Sequence, residues 1–291
     1  MKKLILSGIL FLTSINTLQA QSSFGNITSI NTAGKFTLKL EGAKVDQVKT
    51  VMPDSTLHAT VGNVQFQIKT YESTNKLEQE SIGIGLGYSI TDQFEVFGGL
   101  SDGDQTQEGD IRSDDFFAYK LGFSFVPSQQ GRLKMGILAQ AERVDTTYRG
   151  DYPYPVPYLS YSTATDTYNM HDGIVAGEEK VTLTSFDIHI GFSVELGVVK
   201  SYFGLFANKI SGDYSFSGSG MNTVFSYPIN GGVGTSTNEL VTMKMDASLE
   251  EKDMFGGVLG ISFQPLDNFS ADVEVQAGAR EGFFFIANYL F

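Results

Sequence analysis

His189 stands two residues after Asp187 in "SFDIHIGFSVEL". In a strand, that spacing puts both side chains on one face. A hydrolase needs a nucleophile, a base within reach of it and a group that orients the base. Asp187 has the right chemistry to orient His189. Same-face neighbours of this kind belong equally well to an ionic network. His171 offers a second pairing in "YNMHDG", beside Asp172 and near Asp166, and His58 is the third histidine. No serine or threonine is marked as a nucleophile by its surroundings, and cysteine is absent. The expectation is a protein that is not an enzyme.

Asp187, His189 and Glu195 are part of a larger set. Glu95, Lys120, Lys134, Glu142, Asp272 and Glu274 also occupy alternate positions, each opposite an apolar series. Gathered inside a closed sheet, these residues would line a lumen. One reading is an interior filled and held rigid by ion pairs, and the other is a narrow acidic channel that prefers cations. The stretch "SDGDQTQEGDIRSDD" gathers Asp102, Asp104, Glu108, Asp110, Asp114 and Asp115 around a single Arg112. It lacks the spacing of a twelve-residue calcium loop. It reads as a solvated acidic loop, and no metal site or cofactor is expected. The segment "YRGDYPYPVPYLSYSTATDTY" holds Tyr148, Tyr152, Tyr154, Tyr158 and Tyr161, with Pro153, Pro155 and Pro157 among them. Tyrosine is an amphipathic contact residue of low conformational entropy. These five are candidates for a recognition surface on an outer loop.

Strands must position all of this. "SIGIGLGYSI" sets Ile82, Ile84, Leu86, Tyr88 and Ile90 against Gly83, Gly85, Gly87 and Ser89. "FAYKLGFSFV" sets Phe117, Tyr119, Leu121, Phe123 and Phe125 against Ala118, Lys120, Gly122 and Ser124. A helical period would mix these two sets. The runs are about ten residues long, where soluble strands average five or six. Connections alternate between tight ("TDQ", "PSQQGR", "GVVKS", "QPLDN") and long, at roughly 102–114, 147–180 and 211–252. Short turns on one side and long loops on the other describe a membrane barrel.

Ten runs read as wall strands: 63–71, 79–90, 93–101, 115–127, 131–143, 182–196, 200–210, 254–264, 268–277 and 282–291. An eleventh candidate is "GKFTLKLEG" (34–42), and "AKVDQVKTV" (43–51) would make twelve. Single-chain barrels normally have an even strand number. The expected fold is therefore all-β, a closed antiparallel up-and-down transmembrane β-barrel of ten strands, with twelve as the alternative. Residues 63–291 would form the barrel, and 21–62 an N-terminal segment with the capacity to contribute a strand.

The chain opens with Lys2, Lys3 and an apolar stretch from Leu4 to Leu12, then reaches "TLQA". That three-part order is a secretory signal peptide, residues 1–20. The net charge of −13 becomes more acidic once Lys2 and Lys3 are removed, which argues against nucleic acid as a partner. The far end is "GFFFIANYLF", with Phe283, Phe285, Ala287, Tyr289 and Phe291 at every second position. It resembles the C-terminal signature of bacterial outer-membrane β-barrel proteins, and the whole chain resembles the small OmpA/OmpX-like barrel class. The resemblance implies an outer-membrane location and contact with outer-membrane lipid and lipopolysaccharide. It also implies that the barrel-assembly machinery reads Phe283, Phe285, Tyr289 and Phe291. A structural or surface-interaction role through long extracellular loops is the expected function. Oligomeric state is not encoded in any of these features.

Overall fold

Alternation along each strand gives the sheet one apolar face, and with no helix among the described residues to cover it, an apolar face of this size must curl onto itself or meet lipid. In the computed structural model the sheet closes into a barrel that carries exposed apolar side chains on its outer face. The structure describes residues 25–30, 32–61, 64–70, 72–107, 115–153, 159–162, 167–228, 233–251 and 254–291. The signal peptide lies outside the described residues. Among them, one continuous antiparallel sheet contains β1 (Phe36–Met52), β2 (Ser55–Val61), β3 (Val64–Thr70), β4 (Ser73–Thr91), β5 (Phe94–Gln107), β6 (Asp115–Gln130) and β7 (Leu133–Pro153). It continues through β8 (Leu159–Ser162), β9 (Thr167–Leu196), β10 (Val199–Pro228), β11 (Thr235–Glu251), β12 (Phe255–Leu266), β13 (Phe269–Gly278) and β14 (Arg280–Leu290).

Ten of these strands close the wall: β1, β4, β5, β6, β7, β9, β10, β12, β13 and β14. Closure is made by β14 on β1, in register from Thr37 opposite Leu290 to Val48 opposite Arg280. The seam ends in a reciprocal pair of backbone bonds, Phe291 N to Phe36 O at 3.0 Å and Phe36 N to Phe291 O at 3.2 Å. Closing the ring removes the unpaired edges that a bilayer does not tolerate. The tight turns lie at this same end, and Gly131 and Gly197 take positive φ there (60° and 75°).

The wall count of ten matches the sequence reading, but its first member does not. The 63–71 run is outside the wall, as β3, and pairs with β2. The first wall strand is β1, which joins the 34–42 candidate and the 43–51 segment into one strand of 17 residues. The wall therefore starts at Phe36. Both candidates alternate with the same period, and period alone does not say which one meets the last strand.

The described parts of the long connections are largely strand rather than loop. β9 and β10 are 30 residues each and pair along their whole length, from Val199 opposite Leu196 to Pro228 opposite Thr167. A membrane crossing takes about 9–11 residues of tilted strand. The remainder rises beyond the membrane as a second storey, and the two storeys have opposite polarity. On lower β10 the outward Phe203 and Leu205 are 50% and 73% exposed. From Lys209 on, the outward residues are Lys209, Ser211, Asp213, Ser217 and Ser219, while Ile210, Tyr214 and Phe216 are buried within. β9 and β7 invert at the same height. Outward Phe186 on β9 gives way to Thr184, and outward Ala141 on β7 gives way to Arg143, its register neighbour. Lys44 of β1 and Glu80 of β4 pair outward at 3.0 Å just above Ile82. Below this line the barrel is apolar outside and polar within, as lipid requires. Above it the barrel is polar outside and apolar within, as water requires.

In the upper storey β11 replaces the lower trio β12–β14. β10 pairs with β12 up to Ala207 and with β11 from Ser211. β11 reaches β1 at Thr50 and Val51 and carries β2 on the same edge. Leu57, Tyr148, Val181, Leu183, Tyr214, Phe216, Met243 and Met245 then pack into one buried apolar core.

Candidate functional site

Below the inversion line the inward positions of the ten strands converge on a charged lumen. Every lumen residue expected from the sequence points inward: Glu95, Lys120, Lys134, Glu142, Asp187, His189, Glu195, Asp272 and Glu274 are all buried or half-buried. They are joined by residues the sequence reading left out. Lys39 Nζ meets Glu95 Oε1 at 2.7 Å and lies 4.5 Å from the Phe97 ring. Lys120 pairs with Glu41. At the turn end, Glu195 takes Lys134 at 2.8 Å and Lys200 at 3.4 Å. Arg280, fully buried, pairs with Asp187 and lies 5.1 Å above the Phe206 ring. Arg280 opens β14, two residues ahead of the run read from sequence as 282–291. Lys39 and Glu41 belong to the 34–42 candidate, and their inward parity becomes meaningful once β1 is in the wall.

Interior bulk is fitted by missing side chains. A Cβ on Gly260 would lie 2.1 Å from the Tyr202 ring, one on Gly256 2.2 Å from the Phe206 ring, and one on Gly204 2.2 Å from His189 Nε2. The glycines that look like weak strand residues are the sockets of the large inward side chains.

Asp187 and His189 both lie buried in the lumen. Asp187 binds Arg280 and accepts from Gln140 Nε2 at 3.2 Å, and His189 is packed at 1% exposure. His171 and Asp172 lie on upper β9, with side chains outside the described residues. Among the described residues no group of His, Cys, Asp and Glu has the arrangement of a metal site.

A segment ahead of the wall also occupies the lumen. Asn26, Ile27 and Thr28 are buried inside the lower storey. Gly25 N donates to Glu274 Oε2 at 2.9 Å, and Asn26 N to Asp272 Oδ2 at 3.3 Å. Asn26 Oδ1 accepts from Thr28 N and Thr28 Oγ1, and Thr28 Oγ1 meets Ser193 Oγ. Ile27 packs with Phe97, Leu138, Phe206 and Ala279. Glu274 also accepts from Tyr202 OH at 3.3 Å and from Gln276 Nε2 at 2.6 Å. A polar cavity remains beside the segment toward the turns, lined by Lys39, Glu41, Glu95, Lys120, Asp272 and Asn288. No periodicity in "GNITSI" marks it as a lumen element, so the sequence carries little signal for it.

The tyrosine surface is partly corrected. Tyr148 is fully buried in the upper core, because it continues the inward series of β7 beyond Val144 and Thr146. Tyr152 and Tyr161 lie on β7 and β8, while Tyr154 and Tyr158 are outside the described residues. Arg149, Gly150 and Asp151 are part of the β7–β9 ladder. Arg149 Nε meets Glu178 Oε2 at 2.9 Å, and Lys180 Nζ meets Glu178 Oε1 at 2.5 Å. The Lys180 hydrogen bond, then that of Arg149, holds the Glu178 carboxyl below its usual range. Phe283, Phe285 and Tyr289 on β14, and Phe291 directly after it, all face outward and are about half exposed.

No protein-family model matches the chain, and no curated protein matches it in sequence. Among solved structures, the outer membrane protease OmpT from Escherichia coli is similar at 7% identity, covering 94% of this chain and 96% of that one with a TM-score of 0.44. The translocator domain of the autotransporter NalP from Neisseria meningitidis is similar at 11% identity, covering 91% and 90%, with a TM-score of 0.39. The outer membrane protein OprG from Pseudomonas aeruginosa is similar at 12% identity, covering 88% and 97%, with a TM-score of 0.30.

Proposed function

We propose that this protein is an integral outer-membrane barrel with a structural or surface-interaction role, carried by its tall outer storey, and that its lumen is closed to solutes. The observation that carries this reading is the occupied interior: Arg280, Asp187 and Glu274 are fully buried, and residues 25–28 fill the space beside them. A barrel of eight to ten strands is narrow enough to be filled in this way. Export by the signal at residues 1–20 belongs to the same proposal. The outward charges at the inversion line, Lys44, Arg143 and Lys209, stand at the height of lipid headgroups and are the proposed contacts for lipopolysaccharide phosphates. The outward aromatics of β14 are the proposed signal for the barrel-assembly machinery. Removing Phe291 should then lower the yield of membrane-inserted barrel while leaving inserted molecules with native heat resistance, and normal insertion would count against that role.

Planar-bilayer recording of the purified protein tests the closed lumen. The expected result is no steady conductance. A steady cation-selective current whose selectivity changes in Glu142→Gln or Asp272→Asn would replace this reading with the narrow cation channel. Catalysis is not part of the proposal, since Asp187 is committed to Arg280 and Gln140.

A further inference from the structure

Residues 25–30 sit in the lumen in the manner of a ligand. Their contacts with the wall use side chains on the wall's part: Asp272 and Glu274 accept two successive backbone N–H groups, Ser193 meets the Thr28 hydroxyl, and Phe97, Leu138, Phe206 and Ala279 enclose Ile27. Ser29 N turns back on Asn26 O at 2.9 Å, so the segment closes a turn on itself and adds nothing to the wall ladder. The wall is shaped to receive it. A Cβ on Gly136 would lie 3.0 Å from Ile27 Cγ1, and one on Gly191 3.1 Å from Ile27 Cδ1. Two carboxylates two residues apart on β13 form an acceptor pair, and the neutral backbone amides of Gly25 and Asn26 donate to it here.

We propose that the lower lumen is a binding site for a short turn-forming peptide, filled in cis by residues 25–30, and that it accepts a peptide of the same chemistry in trans. The chemistry is two adjacent N–H donors, then a β-branched aliphatic side chain, then a hydroxyl. This inference requires the closed barrel alone and stands apart from any role of the outer storey.

The test uses a variant lacking residues 22–30, folded in detergent, with a fluorescent synthetic peptide of sequence QSSFGNITS as probe. Saturable binding to this variant and none to the full chain is expected. Asp272→Asn with Glu274→Gln in the same background should weaken it about tenfold or more, since both acceptors lose their charge. Placing Asp at the Ile position of the peptide should abolish it. A folded, heat-modifiable variant that does not bind the peptide overturns the proposal. So does a variant that fails to fold, because a ligand is dispensable for the fold. A second measurement uses the full chain, which has no native cysteine. Thr28→Cys with Ser193→Cys should form a disulfide on oxidation, and two freely alkylated cysteines would contradict docking of the segment.

Discussion

Replacing Arg280 with Met is expected to destabilise the barrel by about 3–5 kcal/mol, the usual cost of removing one partner from a buried ion pair. Both side chains are fully buried. Forming the pair offsets the desolvation of both ions, but removing one partner leaves the whole desolvation penalty of the other. Asp187 would keep Gln140 as a neutral donor, while the ring of Phe206 would lose the cation stacked on it. The double variant Arg280→Met with Asp187→Leu should recover most of the loss, because an apolar pair of similar volume is often as stable as the ions it replaces. Equilibrium unfolding in detergent or lipid, with the folded fraction read from heat-modifiable gel migration, gives both numbers. A single variant as stable as the parent would show that Asp187 is not held by Arg280.

The second large effect is set by depth rather than by contact. Leu205→Arg should cost about 2–4 kcal/mol, since it puts a charge on the lipid face of the lower storey. Ser217→Arg, twelve residues along the same strand and facing the same way, should cost no more than about 0.5 kcal/mol. The two positions share strand, parity and outward direction and differ only in their height relative to the inversion at Asn208 and Lys209. Measured in lipid vesicles by the same unfolding assay, equal costs at both sites would place the whole outer face of β10 in one medium.

That inversion also explains what was legible in the sequence. The lower storey could be read because one rule holds along each strand, apolar outward and polar inward. The lumen residues from Glu95 to Glu274 and the outward aromatics of β14 follow from it. Upper β9 and β10 read as loops from sequence because the rule reverses there. Phe203, Leu205 and Ala207 lie on one parity, and Ile210, Tyr214 and Phe216 on the other. Read as one phase, the strand ends at the flip. Tyr148 reads as a surface residue for the same reason, although it is the inward residue of an inverted strand. The choice of β1 over β3 as first wall strand was not legible, since ring closure is a long-range pairing that local period does not encode. The 25–30 segment was hidden because its contacts are polar and specific, with Ile27 as its single buried apolar side chain.

The absence of native cysteine allows a direct reading of where the membrane ends. Single cysteines placed at the outward positions 203, 205, 207, 209, 211, 213 and 217 of β10 can each carry a polarity-sensitive fluorophore in lipid vesicles. Emission should be that of a hydrocarbon environment, quenched by lipid-borne quenchers, at 203 to 207. It should switch to a water-quenched signal from 209 onward. A gradual change spread along the whole strand, or lipid quenching that persists at 213 and 217, would contradict a barrel whose lower storey spans the membrane and whose upper storey stands in water.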